Sequence, residues 1–90
     1  MSRAILFYWS KGADMRVKLL NEIARCNAKK MPCYINTLAE KFGVSHVAVR
    51  KHVELMLEGG FVRELNPEGK PVYLELTKEG ENVLAEFRKK

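Results

Sequence analysis

Only Gly43 and Val44 separate two helix-forming segments in the middle of this chain. Upstream, Thr37-Leu38-Ala39-Glu40 has the pattern of a capping box, with the Thr37 hydroxyl and Glu40 carboxylate placed to satisfy the first free backbone amides. Leu38, Ala39 and Phe42 make the apolar stripe of that segment, and Gly43 ends it in a conformation that glycine takes without steric cost. Downstream, Ser45 suits an N-cap for a helix from His46 to about Glu58. Val49, Val53, Met56 and Gly60 recur at helical spacing, which predicts that they face inward together.

The flanks complete an architecture. Residues 13–29 read as a helix, with Leu19, Leu20, Ile23, Ala24 and Cys26 inside and Arg16, Lys18, Glu22, Arg25 and Lys29 on the wet side. Pro32 closes it, and Tyr34-Ile35 reads as a short extended piece. After Gly59-Gly60, two short strands are predicted, Phe61–Leu65 and Val72–Leu76. Asn66-Pro67-Glu68-Gly69-Lys70 joins them with turn residues. Thr77 then caps a last helix over residues 77–88. The expected fold is mainly α with a small β-hairpin (α+β). It has a helix-turn-helix over 37–58, a wing over 61–76, and a domain running from 13 to 90 behind an apolar segment at 1–12.

The stretch Ser45-His46-Val47-Ala48-Val49-Arg50-Lys51-His52 carries the functional question. His46 and His52 are six apart on a helix and point about 120° away from each other, so they do not form a metal pair. Ser45 beside His46 is explained as a cap, and no paired-carboxylate site, phosphate-binding glycine loop or nucleophile elbow exists in the chain. No enzyme activity, metal or cofactor is expected. With Val49 and Val53 inward, His46, Val47, Arg50 and Lys51 form one outward patch in the first turns of the helix, where such proteins meet the major groove. Arg and Lys suit guanine edges, and Val47 or Ala48 suits a thymine methyl. Ser45, Thr37 and the amides at both helix starts suit phosphate oxygens, while Arg63 and Lys70 of the wing would reach the flanking backbone.

The runs Leu38-Ala39-Glu40-Lys41-Phe42-Gly43-Val44-Ser45, Val49-Arg50-Lys51-His52-Val53 and Glu58-Gly59-Gly60-Phe61-Val62 resemble winged helix-turn-helix regulators of the MarR, ArsR and PadR kind. Leu76-Thr77-Lys78-Glu79-Gly80 resembles the Leu-Thr-x-x-Gly signature that follows their wing. The resemblance covers roughly residues 15–82 and implies a dimeric, prokaryotic or archaeal DNA-binding transcription factor. Three features depart from it. The wing tip holds one cation and one acid, Leu57 stands where a polar residue is usual, and the cysteine pair that ArsR-type metal sensing needs is absent. His52 matches a position where the pattern often has histidine, and is read as structural or phosphate-contacting.

Sixteen Lys and Arg against 11 Asp and Glu leave a net charge of +5 on 90 residues, which suits a polyanionic partner such as double-stranded DNA. No segment approaches the ~20 apolar residues of a membrane span, and the six-residue run Ala4–Trp9 is too short for a signal-peptide core. A cytoplasmic protein is expected. Ala4–Trp9 either folds over the chain's own core or, as favoured here, forms a homodimer surface from Ile5, Phe7 and Trp9 with Leu84 and Phe87. A two-fold pair would set two such helices ~34 Å apart, one turn of DNA. Cys26 and Cys33 are read as a core thiol and a loop thiol, with a bridge between them left open. Two alternatives to a sequence-specific regulator stand: a protein-interaction module of a transcription or replication assembly, and a nonspecific DNA coater. Any small-molecule effector is unknown.

Overall fold

α1 (Ala13–Ala28) forms around one apolar face, on which Leu19, Leu20 and Ile23 lose all contact with solvent. The computed structural model describes residues 6–8 and 11–88. α1 is followed by α2 (Ile35–Phe42), α3 (His46–Glu58), the strands β1 (Val62–Glu64) and β2 (Leu74–Leu76), and α4 (Lys78–Arg88). The strands pair antiparallel, with Val62 opposite Leu76, Arg63 opposite Glu75 and Glu64 opposite Leu74. α2 packs on α3, while α1 reaches β2, α3 and α4, so one core lies beneath a helix-turn-helix and its wing. The expected fold class is the one observed.

Three helix ends close in the same way. The amide of Met31 donates to the Cys26 carbonyl at 2.8 Å, Val44 to Ala39 at 3.1 Å, and Phe61 to Met56 at 2.9 Å. Each closure needs a residue in the left-handed region just before the donor, and these are Lys30, Gly43 and Gly60. Gly60 therefore lies at the exposed end of α3, and the inward position expected for it is corrected.

Thr77 and Gly80 join the wing to α4. The Thr77 amide donates to the Phe61 carbonyl at 3.1 Å, its hydroxyl donates to the Gly60 carbonyl at 2.5 Å, and the Gly80 amide donates to that hydroxyl at 3.2 Å. A Cβ at Gly80 would lie 2.2 Å from the Phe61 carbonyl oxygen, so only glycine lets α4 approach the start of the wing. On the outer side of β2, Asn27 acts as a surrogate strand. Its Oδ1 accepts from the Leu76 amide at 3.0 Å and its Nδ2 donates to the Leu74 carbonyl at 3.2 Å.

The structure corrects several expectations. α2 begins at Ile35, and Thr37 is its third residue rather than its cap. The Thr37 hydroxyl reaches back to accept from the Tyr34 amide at 3.0 Å and donates to the Tyr34 carbonyl at 2.8 Å. The strands are shorter than expected because the Asn66 side chain gathers the wing tip. It accepts from the Tyr73 amide at 2.7 Å and donates to the Pro71 carbonyl at 3.0 Å. Arg16 and Glu22 are buried rather than wet, since the segment around Leu6 folds back over α1 and Arg25 pairs with Glu22. Cys33 is buried, and its carbonyl accepts from the Leu74 amide at 2.8 Å.

Phe7 and Leu84 are corrected as dimer-surface residues. They lie at 2% and 3% exposure in the chain's own core, where the Phe7 ring meets Phe61 edge-on at 4.9 Å. Phe87 is half-buried, and its ring stacks on Tyr8 at 5.1 Å. Ile5 and Trp9 lie outside the described residues. Leu57 packs against the core, which accounts for an apolar residue there.

Candidate nucleic-acid interface

Ser45 starts α3 by accepting the Ala48 amide on its hydroxyl oxygen at 3.1 Å, which leaves the hydroxyl proton free to donate outward. Val49, Val53 and Met56 anchor the helix in the core. At about 100° per residue, Val47, Lys51, Glu54 and Glu58 then run along the outward face. Val47 is 65% exposed on that face. His46, Arg50 and Lys51 are exposed and Ala48 is half-buried. Positive charge is thus confined to the first two turns, and Glu54 and Glu58 make the far half acidic.

Arg50 turns toward the wing. It lines a surface cleft together with Tyr34, Ile35 and Asn36 at the start of α2, and with Gly69, Lys70, Pro71 and Val72 at the wing tip. The fold therefore brings Arg50 and Lys70 to one cleft, beside the first-turn amides of α2, which have no acceptor within their own helix. Tyr34 and Asn36 join the lining because α2 starts at Ile35, two residues before the Thr37 that the sequence pattern marks as its cap. The Tyr34 ring meets Tyr73 of the wing edge-on at 5.7 Å, which ties the two walls together.

Two expected contacts sit differently. Arg63 stands opposite Glu75 in the strand register and is gripped by it, Nε to Oε1 at 2.7 Å, so its charge is already paired within the wing. Thr37 has its hydroxyl committed to both backbone groups of Tyr34, and the expectation of a free hydroxyl for phosphate is corrected. On the other flank of α3, His52 Nδ1 accepts from Arg16 Nη1 at 3.1 Å. A guanidinium can only donate, so the neutral ring carries its proton on Nε2.

Among the described residues, no three His, Cys, Asp or Glu side chains come together to hold a metal ion, and no helix is long and apolar enough to cross a membrane. No protein-family model matches the sequence, and no curated protein matches it either. Among solved structures, the chain is similar to the multiple antibiotic-resistance repressor (MarR) of Listeria monocytogenes 4b F2365. The TM-score is 0.65 at 18% sequence identity, over 78% of this chain and 45% of that one. This chain thus spans less than half the length of that repressor, and the likeness is one of fold: a winged helix.

Proposed function

Starting from a winged-helix scaffold like that of a MarR repressor, we propose that this chain is a regulator of transcription that binds double-stranded DNA. α3 enters the major groove by its first two turns. Val47 and Ala48 meet thymine methyls, and Lys51 with Arg50 meets guanine edges or phosphate. Ser45 and the start of α2 bind backbone oxygens, and Lys70 reaches the flanking strand. A homodimer is the proposed working form, with the stacked rings of Tyr8 and Phe87 at its contact; Tyr8 is 38% exposed. The observation that carries the reading is the shared cleft of Arg50 and Lys70 at the start of α2, on the side of α3 where Val47 is exposed.

The test is a titration against promoter and random duplexes at two salt concentrations, for wild type and for Arg50→Ala/Lys51→Ala. Salt-sensitive binding that the double variant loses supports the reading. Preference for one duplex separates a regulator from a nonspecific coater. Failure to bind either duplex at low salt overturns it. The acidic far half of α3, with Leu55 at 39% exposure, would then favour the protein-interaction reading.

A further inference from the structure

Gly12 and Arg16, at the start of α1, close on the ring of His52 in α3. The Gly12 backbone lies so near that a Cβ there would fall 2.7 Å from His52 Cε1 and 3.6 Å from Nδ1. Arg16 is 2% exposed and divides its donors among three acceptors. Nε reaches the Leu6 carbonyl at 2.8 Å, Nη2 the Lys11 carbonyl at 3.0 Å, and Nη1 the lone pair of His52 Nδ1 at 3.1 Å. Two of these acceptors belong to the segment before α1, and the third belongs to a different helix. Only the third can titrate near neutral pH. Arg16 is the charged side chain that acts on this ring, and the segment before α1 meets it with the Gly12 backbone. Along α3, the residues one turn away are Ala48, Val49, Leu55 and Met56, none of which carries charge. Among the described residues, no carboxylate is at hand to offset a second positive charge beside the guanidinium.

We propose that His52 is a proton-operated latch: when its ring takes up a proton, Arg16 lets go and the segment before α1 opens locally, while the helices and the wing stay folded. A protonated Nδ1 is a donor that faces a donor, so the bond to Nη1 is lost and two cations meet where water barely reaches the guanidinium. The ring is the fixed partner, because Val49, Val53 and Met56 hold its helix in the core. The guanidinium is the movable one, since its long stem lets it turn out to water. Its departure leaves the Leu6 and Lys11 carbonyls without their donor. The segment is then held by Phe7 against Phe61 and by Tyr8 against Phe87, so the open form gains population without becoming the only form. Burial and the Arg16 charge hold the closed ring below its ordinary pKa, and opening restores it. The open form thus binds the proton more tightly, and the latch loosens as pH falls below about 6.5. Neither DNA nor a second chain takes part in the opening.

The test digests the full chain with proteinase K at steps from about pH 8 to about pH 5, with each rate scaled to that of an unfolded casein at the same pH. The ring protons of His52 are followed by NMR over the same range. Scaled cleavage before α1 is expected to rise several-fold in acid, with the midpoint of the His52 titration, while cleavage within α1 to α4 stays level. Arg16→Met should be cut fast at every pH. His52→Asn, which keeps an acceptor but cannot titrate, should be cut slowly throughout. Circular dichroism checks that both variants fold, and the agreement of the two wild-type midpoints needs neither of them. Level cleavage before α1 while His52 takes up its proton overturns the proposal. So does acid cleavage that rises equally inside the helices, which is unfolding, and so does an acid response of His52→Asn equal to that of the wild type.

Discussion

Arg16 and His52 meet at 3.1 Å across 36 residues of sequence, and this bond ties the first turns of α1 to the outward helix α3. Arg16 is 2% exposed, and its other donors reach the Leu6 carbonyl at 2.8 Å and the Lys11 carbonyl at 3.0 Å. One guanidinium therefore holds the N-terminal segment, α1 and α3 together.

This contact makes stability depend on pH. Loss of water and the facing Arg16 charge hold the His52 imidazole below its ordinary pKa. The unfolded chain then takes up this proton at higher pH than the folded one. The contribution is fully present above the unfolded value of about 6.5 and is lost as pH falls from there through the folded value. Urea midpoints should decline as pH falls below about 6.5. His52→Asn, whose carbonyl can accept the same bond without titrating, should flatten that decline.

Arg16→Met should cost about 2 kcal/mol, since it strips three acceptors of their donor. The same change should speed limited proteolysis before α1, because Leu6 and Lys11 lose their hydrogen bonds to the helix and the segment is then held by the packing of Phe7 on Phe61 and of Tyr8 on Phe87. Equal protease resistance in the two proteins would show that the guanidinium is not the tie.

Gly80→Ala should destabilise by about 3 kcal/mol, because the new methyl meets the rigid Phe61 carbonyl and not a movable side chain. Thr77→Ala removes the cap and the hydroxyl's bond to the Gly60 carbonyl, and should cost about 1–2 kcal/mol. Chemical denaturation of the two variants would show the order reversed if α4 could simply slide away.

Lys30 occupies the left-handed position (φ 57°) that glycine fills at the ends of α2 and α3. Lys30→Gly should stabilise the chain by up to about 1 kcal/mol, less the entropy that glycine adds to the unfolded state. The readout is the shift of the urea midpoint at unchanged slope.

Glu75→Gln should release Arg63 and strengthen DNA binding several-fold at low salt, raising the salt slope by about one phosphate contact. Arg63→Ala in the wild type should have a smaller effect than Lys70→Ala, which removes a wing-tip cation that lies outside the paired strand register and lines the cleft with Arg50. Equal losses from the two would place Arg63 on DNA despite Glu75.

Much of the fold was legible because its signals are local. The period of Leu19, Leu20 and Ile23, the short link at Gly43-Val44, and the turn residues after Leu65 each act within a few positions, so element order and inward faces could be read along the chain. Ser45 was legible as a cap for the same reason. The start of α2 is not legible in the same way: a threonine three residues before a glutamate caps well, yet a threonine can equally serve from the third helical position, and the choice depends on Tyr34 adopting an extended backbone.

Sequence alone thus determined the helices, the wing and the outward run of α3, since backbone periodicity and turn chemistry act over one or two turns. Tertiary structure alone decided which distant side chains meet. Arg16 reads as a wet-face cation until the chain before α1 folds over it. Arg63 reads as a free wing cation until the hairpin register sets Glu75 opposite, and Lys70 joins Arg50 only when the wing closes beside α2. Those pairings depend on the angles at which elements pack. Such angles are set by the whole core at once and leave no trace in the spacing of any one segment.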